Sequence, residues 1–328
     1  MGTVLKVFAF IVIALVVLAV GGWWFFLRGP DISYATLEAK YADAHSHFVD
    51  LPGGVHLHYQ DEGDPKAPVL VLVHGFGDSY FSWDGWVKHL GNRFRIIRID
   101  VPGHGLTRAP DGYVLDSDKS AALVDAFAAK LALPKFAIAG NSMGGGIAWE
   151  FAVLYPNRVN GLILVDAAGW PTETLKNPPL AFRLLRYSWG RAFLRSIDNT
   201  PLIRSGLKGE TGNKAAITDA LIARWAELQR APGHRAILMS IGQGTHGVAS
   251  ETVLSKIKVP TLIEWGAIDP LINVASAHKF ANAIPNATLI IYPGIGHLPQ
   301  IEIPEKSSED AATFLSHHVD EAAAGRVQ

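Results

Sequence analysis

The chain has 328 residues, about half of them apolar, which is enough to bury one large domain with an insertion or two smaller domains. Its 29 Lys and Arg stand against 30 Asp and Glu, so no global field draws in a polyanion, and a nucleic-acid partner is set aside. There is no cysteine, which removes disulfides, thiolate nucleophiles and cysteine-type zinc sites together and leaves the redox compartment open.

The first element is the uncharged run Val7 to Leu27. Its 21 residues reach about 32 Å as a helix, the thickness of a bilayer's hydrocarbon core. Residues 1–28 therefore read as a single-pass transmembrane anchor. A cleaved signal peptide competes, because Ala19 and Gly21 are small residues at a peptidase-like spacing. Against it, the apolar run continues through Trp23, Trp24, Phe25 and Phe26, rings suited to a membrane interface. With Lys6 on one side and Arg28, Asp31 and Glu38 on the other, the expected topology is N-terminus inside and body outside a bacterial cytoplasmic membrane. Gly21 and Gly22 leave a homodimer through this helix open. Residues 29–44 read as a charged juxtamembrane linker.

Ser46 to Asp50 and Val55 to Asp61 read as strands about the turn Leu51-Pro52-Gly53-Gly54. Short apolar runs follow at Val69 to Val73, Arg95 to Ile99, Phe136 to Ala139, Leu162 to Val165, Thr261 to Trp265 and Thr288 to Tyr292. Their lack of strict alternation fits strands covered on both faces. Helical patterns at Lys119 to Leu131, Gly145 to Tyr155 and Val274 to Ala283 lie between them. The expected fold class is α/β, a mostly parallel sheet flanked by helices, with its core divided between residues 45–170 and 255–328. Residues 171–254 break the alternation and read as an inserted helical cap, with pieces at Leu180 to Ile197, Ile217 to Gln229 and His234 to Ile241. Between 171 and 250, eleven basic residues face five acidic ones, a surface that suits either anionic lipid headgroups or water.

Gly140-Asn141-Ser142-Met143-Gly144 lies between a strand and a helix, the context of a nucleophile elbow. Ser142 must occupy a strained tip there, and side chains two residues to either side would collide with the elements that meet. The N–H of Met143, at the helix N-terminus, is the expected oxyanion donor. A second donor is expected from the loop His74-Gly75-Phe76-Gly77, with the N–H of Phe76 as candidate. His297, in the Gly-rich loop after the last strand, is the expected general base. The chain order Ser, Asp, His favours Asp269 as the carboxylate that orients it, with Asp166 as its rival. His45 with His47, and His56 with His58, have the alternate spacing of one strand face rather than a metal site, and His104 reads as structural. No phosphate loop follows a strand, so neither a nucleotide cofactor nor a metal is expected.

The motifs HGFGDS, DVPGHGLT, GNSMGG, WGAIDP and GHLPQIE, in that order across about residues 45–320, resemble the α/β-hydrolase superfamily. A serine at the nucleophile position sets aside the haloalkane dehalogenases and most epoxide hydrolases, which use a carboxylate. With the apolar N-terminus and helical cap, the chain resembles membrane-anchored bacterial lipases and esterases, phospholipase A and monoacylglycerol-lipase-like members among them. The resemblance implies a serine esterase that acts on lipid or small-molecule esters. GNSMGG is also similar to the carbon–carbon hydrolases of aromatic-ring degradation, although Leu298 follows His297 where those enzymes commonly carry tryptophan. A hydrolase-like binding protein at the membrane is the non-enzymatic alternative.

Overall fold

A computed structural model describes residues 2–171, 180–241 and 247–324. Helix α1 (Gly2–Gly22) continues in a π-turn through Trp23–Leu27. Largely exposed, it is the one helix among the described residues long and apolar enough to cross a bilayer. The stretch expected as a charged connector contains α2 (Tyr34–Tyr41), capped by the Ser33 hydroxyl, which accepts the Thr36 N–H. Leu37 of α2 is buried with Leu106, Leu228 and Ala231, so this segment is folded onto the body.

Eight strands form one sheet: β1 (Ser46–Leu51), β2 (Val55–Glu62), β3 (Val69–Val73), β4 (Arg95–Ile99), β5 (Phe136–Asn141), β6 (Val159–Val165), β7 (Thr261–Gly266) and β8 (Ala287–Tyr292). Their spatial order is β1-β2-β4-β3-β5-β6-β7-β8. The opening hairpin adds two antiparallel pairings, β1 with β2 and β2 with β4, and all others are parallel. Each apolar run read as a core strand is one, lengthened at its ends by up to three residues.

The connections of the sheet carry α3 (Asp84–Leu90), α4 (Ser117–Lys130) and α5 (Met143–Leu154). Successive residues of a strand face opposite sides. Val69, Val71 and Val73 of β3 accordingly join a cluster with α4 and α5 residues such as Phe127 and Phe151, while Leu70 and Leu72 join Trp86, Phe314 and Leu315 on the other face. Both faces being covered is why these strands read as continuous apolar runs.

Between β6 and β7 the chain leaves the sheet for α6 (Leu180–Leu185), α7 (Ser188–Ser196), α8 (Thr200–Glu210), α9 (Asp219–Leu228), α10 (His234–Leu238) and α11 (Glu251–Leu254). The span expected as one helix from Leu180 to Ile197 is broken at Tyr187, which is extended with φ −113° and ψ 140°. There α7 turns back onto α6 so closely that a Cβ on Gly190 would lie 2.2 Å from the Leu184 carbonyl oxygen. Part of the expected cap, 172–179 and 242–246, lies outside the described residues. The fold closes with α12 (Ala275–Ala283), α13 (Pro299–Glu302) and α14 (Pro304–Ala324), the last packed against α3 under the sheet.

Candidate active site

Ser142 joins β5 to α5 with φ +53° and ψ −117°, a conformation that L-residues rarely adopt. The crowding around it explains the flanking glycines. A Cβ on Gly140 would lie 2.1 Å from the Gly144 carbonyl oxygen, and one on Gly144 would lie 2.2 Å from that of Val73. The strain is held by the backbone: Ser142 donates its N–H to Val165, and its carbonyl accepts from Gly146 and Ala168, all within 3.0 Å. Met143 is the first residue of α5, so its N–H has no acceptor within the helix and points with the positive end of the helix dipole.

The loop after β3 presses against this elbow. A Cβ on Gly75 would sit 2.9 Å from Asn141 Oδ1 and 3.3 Å from Ser142 Cβ, which brings the neighbouring Phe76 to the rim of the same site. The ring of Phe76 lies 6.0 Å from that of His104 and 6.4 Å from that of Phe182 in the insertion. Beneath it, buried Asp100 accepts the N–H groups of Tyr80 and Leu106 and pairs with His58 Nδ1 at 2.8 Å. Burial works against its charge, but His58 and these donors hold its carboxyl down at about 2.

His297 is buried in the loop after β8, and its Nδ1 meets Asp269 Oδ2 at 2.7 Å. Asp269 is fixed in turn by the N–H groups of Leu271 and Ile272 on its Oδ1, at 2.7 and 3.1 Å. Burial disfavours the imidazolium, yet the charge and hydrogen bond of Asp269 outweigh it and raise His297 above its ordinary pKa. Asp166 follows β6 at φ +44° and accepts the Gly266 N–H at 3.0 Å. One side-chain atom from each of Asp166, Asp269 and His297 lies within 4.8 Å of the others. Such a trio could offer donors to a cation, but the imidazole and Asp269 are already bonded to each other. Full burial, then the charge of Asp269, push the Asp166 carboxyl well above the carboxylate range, so it is held neutral beside the pair.

Two cavities, of about 210 and 480 Å³, share Phe76, Ser142, Phe182, Leu271 and His297 in their walls. One arm runs into the insertion along Leu185, Leu194, Leu202, Leu207, Trp225 and Met239. The other passes Met143, Trp149, Glu150, Ile241, Val248 and Ile272. Of the sequence-expected residues, Ser142, His297 and Phe76 thus line both arms, Met143 lines the second, and Asp269 reaches the site through its bond to His297.

Two residues escaped the sequence reading. Glu302 lies within the quoted GHLPQIE motif, and its carboxylate receives four N–H groups. Gly296 and Leu298 bond to Oε1, at 3.0 and 3.4 Å, and Gly212 and Asn213 to Oε2, at 2.7 and 2.8 Å. It therefore pins the His297 loop to the insertion. Glu210, at the end of α8, accepts the His297 N–H on its backbone oxygen at 2.8 Å. Glu210 lines the first arm, and burial raises its pKa against the pull of His297. Only its acidic character in a basic segment marked it. Of the alternating histidines of the hairpin, His56 meets Asp50 and His58 meets Asp100.

Comparison with known proteins identifies the fold. Residues 68–304 match the model of the alpha/beta hydrolase fold family. The chain is 29% identical over 280 residues to the 2-hydroxy-6-oxo-6-(2'-aminophenyl)hexa-2,4-dienoic acid hydrolase of Metapseudomonas resinovorans, a match covering 82% of this chain and 90% of that one. The crystal structure of a membrane phospholipase A, described as a bacterial virulence factor, superposes with a TM-score of 0.72 at 25% identity, over 95% of this chain and 98% of that one. A lipase-like protein of Acinetobacter baumannii has the same fold, with a TM-score of 0.72 at 24% identity over 89% of this chain and 99% of its own.

Proposed function

From its place in the α/β-hydrolase family, to which the chain belongs, we propose that this hydrolase is a membrane-anchored serine carboxylester hydrolase acting on lipid esters. The observation that carries the reading is the meeting of a strained serine with a carboxylate-bound histidine at the junction of two apolar arms. Ser142 Oγ attacks the ester carbonyl while His297 takes its proton, and Asp269 stabilises the imidazolium so formed. The N–H groups of Met143 and Phe76 receive the oxyanion. His297 then protonates the departing alcohol, leaving an acyl-serine that water, deprotonated by the same imidazole, cleaves to the free acid and Ser142. Of the two arms, the one within the insertion suits the acyl chain, since aliphatic side chains dominate its wall.

The anchor reading draws support from the phospholipase match. Coverage of 95% leaves out about 16 of 328 residues, fewer than the 26 of the helical stretch from Gly2 to Leu27, so part of that helix is included. A second reading, hydrolysis of a carbon–carbon bond in a vinylogous diketone, is favoured by the 29% identity to a ring-degradation hydrolase.

Assaying acylglycerols, phospholipids, lysophospholipids and a ring-cleavage diketone with one detergent-solubilised preparation separates the two. Turnover of lipid esters, its loss in Ser142→Ala and labelling of Ser142 by a fluorophosphonate are expected. Turnover of the diketone alone would replace the ester reading, and full activity in Ser142→Ala would remove the mechanism.

A further inference from the structure

The end of the apolar N-terminal helix is bonded to the insertion rather than to the sheet. Arg28 forms an antiparallel bridge with Ile197, Gly29 donates to the Ser196 carbonyl at 3.1 Å, and Asp198 donates to that of Leu27 at 2.8 Å. The Trp23 indole N–H reaches Ser196 Oγ at 3.2 Å. A few residues on, Arg235 holds Asp31 at 2.6 Å and Arg230 holds the Pro30 carbonyl at 2.8 Å. The last turn of α7 is thereby fixed beside the point where the helix would leave a bilayer.

The outward face of α7 is aromatic. Trp189 and Phe193, one helical turn apart, are 62% and 40% exposed, and Ala192 between them is exposed too. Tyr187, also exposed, stacks on Trp189 with ring centroids 5.6 Å apart. One turn beyond Phe193 the same stripe reaches Ser196, which carries the Trp23 contact. The inward face of α7 buries Leu194, a wall residue of the first arm. From Leu180 to Ser196 there are four arginines and no acidic residue, and Arg183, Arg186 and Arg195 are exposed.

We propose that α6 and α7 lie in the headgroup layer of the bilayer that the N-terminal helix crosses, with Trp189 and Phe193 at the acyl boundary and the exposed arginines at lipid phosphates. This rests on the anchor reading above. An amphipathic helix with rings on one side and cations at its margins binds an anionic interface in this way. A bilayer, unlike a protein partner, is already brought to this surface by the bonds from Trp23 to Asp31. One short helix then carries lipid on its outside and the substrate arm on its inside.

The absence of native cysteine permits a direct test on the full chain in the Ser142→Ala background, which spares the lipid. Single cysteines at Val12, Lys66, Trp189 and Phe193 are labelled with an environment-sensitive fluorophore. The labelled proteins are reconstituted into vesicles of phosphatidylethanolamine and phosphatidylglycerol, with nitroxide lipids as quenchers. Labels at Trp189 and Phe193 are expected to be quenched by nitroxides near the headgroup, the Val12 label by deep ones, and the Lys66 label, ahead of β3 at the far end of the sheet, by neither. Water-exposed labels on α7 with a quenched Val12 label would overturn the proposal and leave the anchor standing. Labels on α7 shielded from water but not quenched would assign the face to a protein instead and overturn it as well. An unquenched Val12 label would remove the anchor and this proposal together. In the active enzyme, Trp189→Asp with Phe193→Asp is expected to lower hydrolysis of vesicle lipid severalfold while leaving a soluble p-nitrophenyl ester unaffected. Equal rates on vesicle lipid would count against the docking.

Discussion

Asp269 lies in a turn whose two N–H groups occupy one of its oxygens, which leaves the other for His297. Replacing it by asparagine keeps the shape but removes the charge that offsets the burial of the imidazole. The expected loss in ester turnover is roughly ten-thousandfold. The acid limb of the pH–rate profile should also move to lower pH, because the active form is neutral His297 and its pKa falls once the Asp269 charge no longer offsets burial. Asp166 behaves differently, since it is held neutral. Asp166→Asn is expected to keep both turnover and acid limb, and a limb displaced by that variant would mean that Asp166 is charged in the working enzyme. Asp166→Ala leaves the buried Gly266 N–H without its acceptor and should lower the unfolding free energy by about 1–3 kcal/mol, measured by urea denaturation. Choosing between these two aspartates was within reach of the sequence, because chain order and the loop after β7 separate them. That they lie side by side was not, since β6 and β7 are neighbours only in the folded sheet.

Elements announced themselves in proportion to the apolar surface they bury. The strands and α5 carry bulky side chains on faces packed by helices, and their ends fell within a few residues of expectation. Helix α14 stayed hidden because small residues such as Ala311 and Ala312 occupy much of its buried stripe. Helix α2 is short, and Leu37 is its one buried residue. The junction between the His297 loop and the insertion is held by the Glu302 carboxylate together with the Glu210 carbonyl that accepts the His297 N–H. Glu302→Ala strands four N–H groups and is expected to cost about 3 kcal/mol of stability and much of kcat. Glu302→Gln, which keeps one acceptor oxygen, should lose less of both, and denaturation with steady-state kinetics on the two variants checks the ranking.

Across the whole molecule, buried titratable groups work against each other. Burial raises Asp78 to about 7 and pushes Asp166 and Glu264 well above the carboxylate range, so each binds its proton more tightly in the fold than in the unfolded chain. They cost stability as pH climbs above about 4, the ordinary carboxylate range. Buried His74, His104 and His234 have lowered pKa values, so they cost stability as pH drops below about 6.5, where the unfolded chain takes up their protons. Between these limits the two sets oppose each other. Above them Asp78 soon ceases to contribute, and Asp166 and Glu264 act on, joined by His297, whose raised pKa stabilises the fold only while it is protonated. The Tm of the Ser142→Ala protein is expected to be flat in mildly acidic buffer and to fall once pH passes about 7. A Tm that rises into alkaline buffer would contradict this assignment of protons. None of it was legible in the sequence, because burial at these positions comes from distant segments meeting.

The exchange of backbone hydrogen bonds between Leu27 to Gly29 and Ser196 to Asp198 makes the end of the N-terminal helix an edge of the insertion. A version shortened by the apolar helix has a natural starting point set by it. Beginning at Arg28 gives up the Trp23 indole and the Leu27 carbonyl but keeps the partners of Arg230 and Arg235. Beginning at Tyr34 removes all of them, along with the Ser33 cap of α2, and frees the turn of α7 that places Leu194 in the cavity wall. A few residues outside the matched family region thus decide whether the pocket survives removal of the apolar helix.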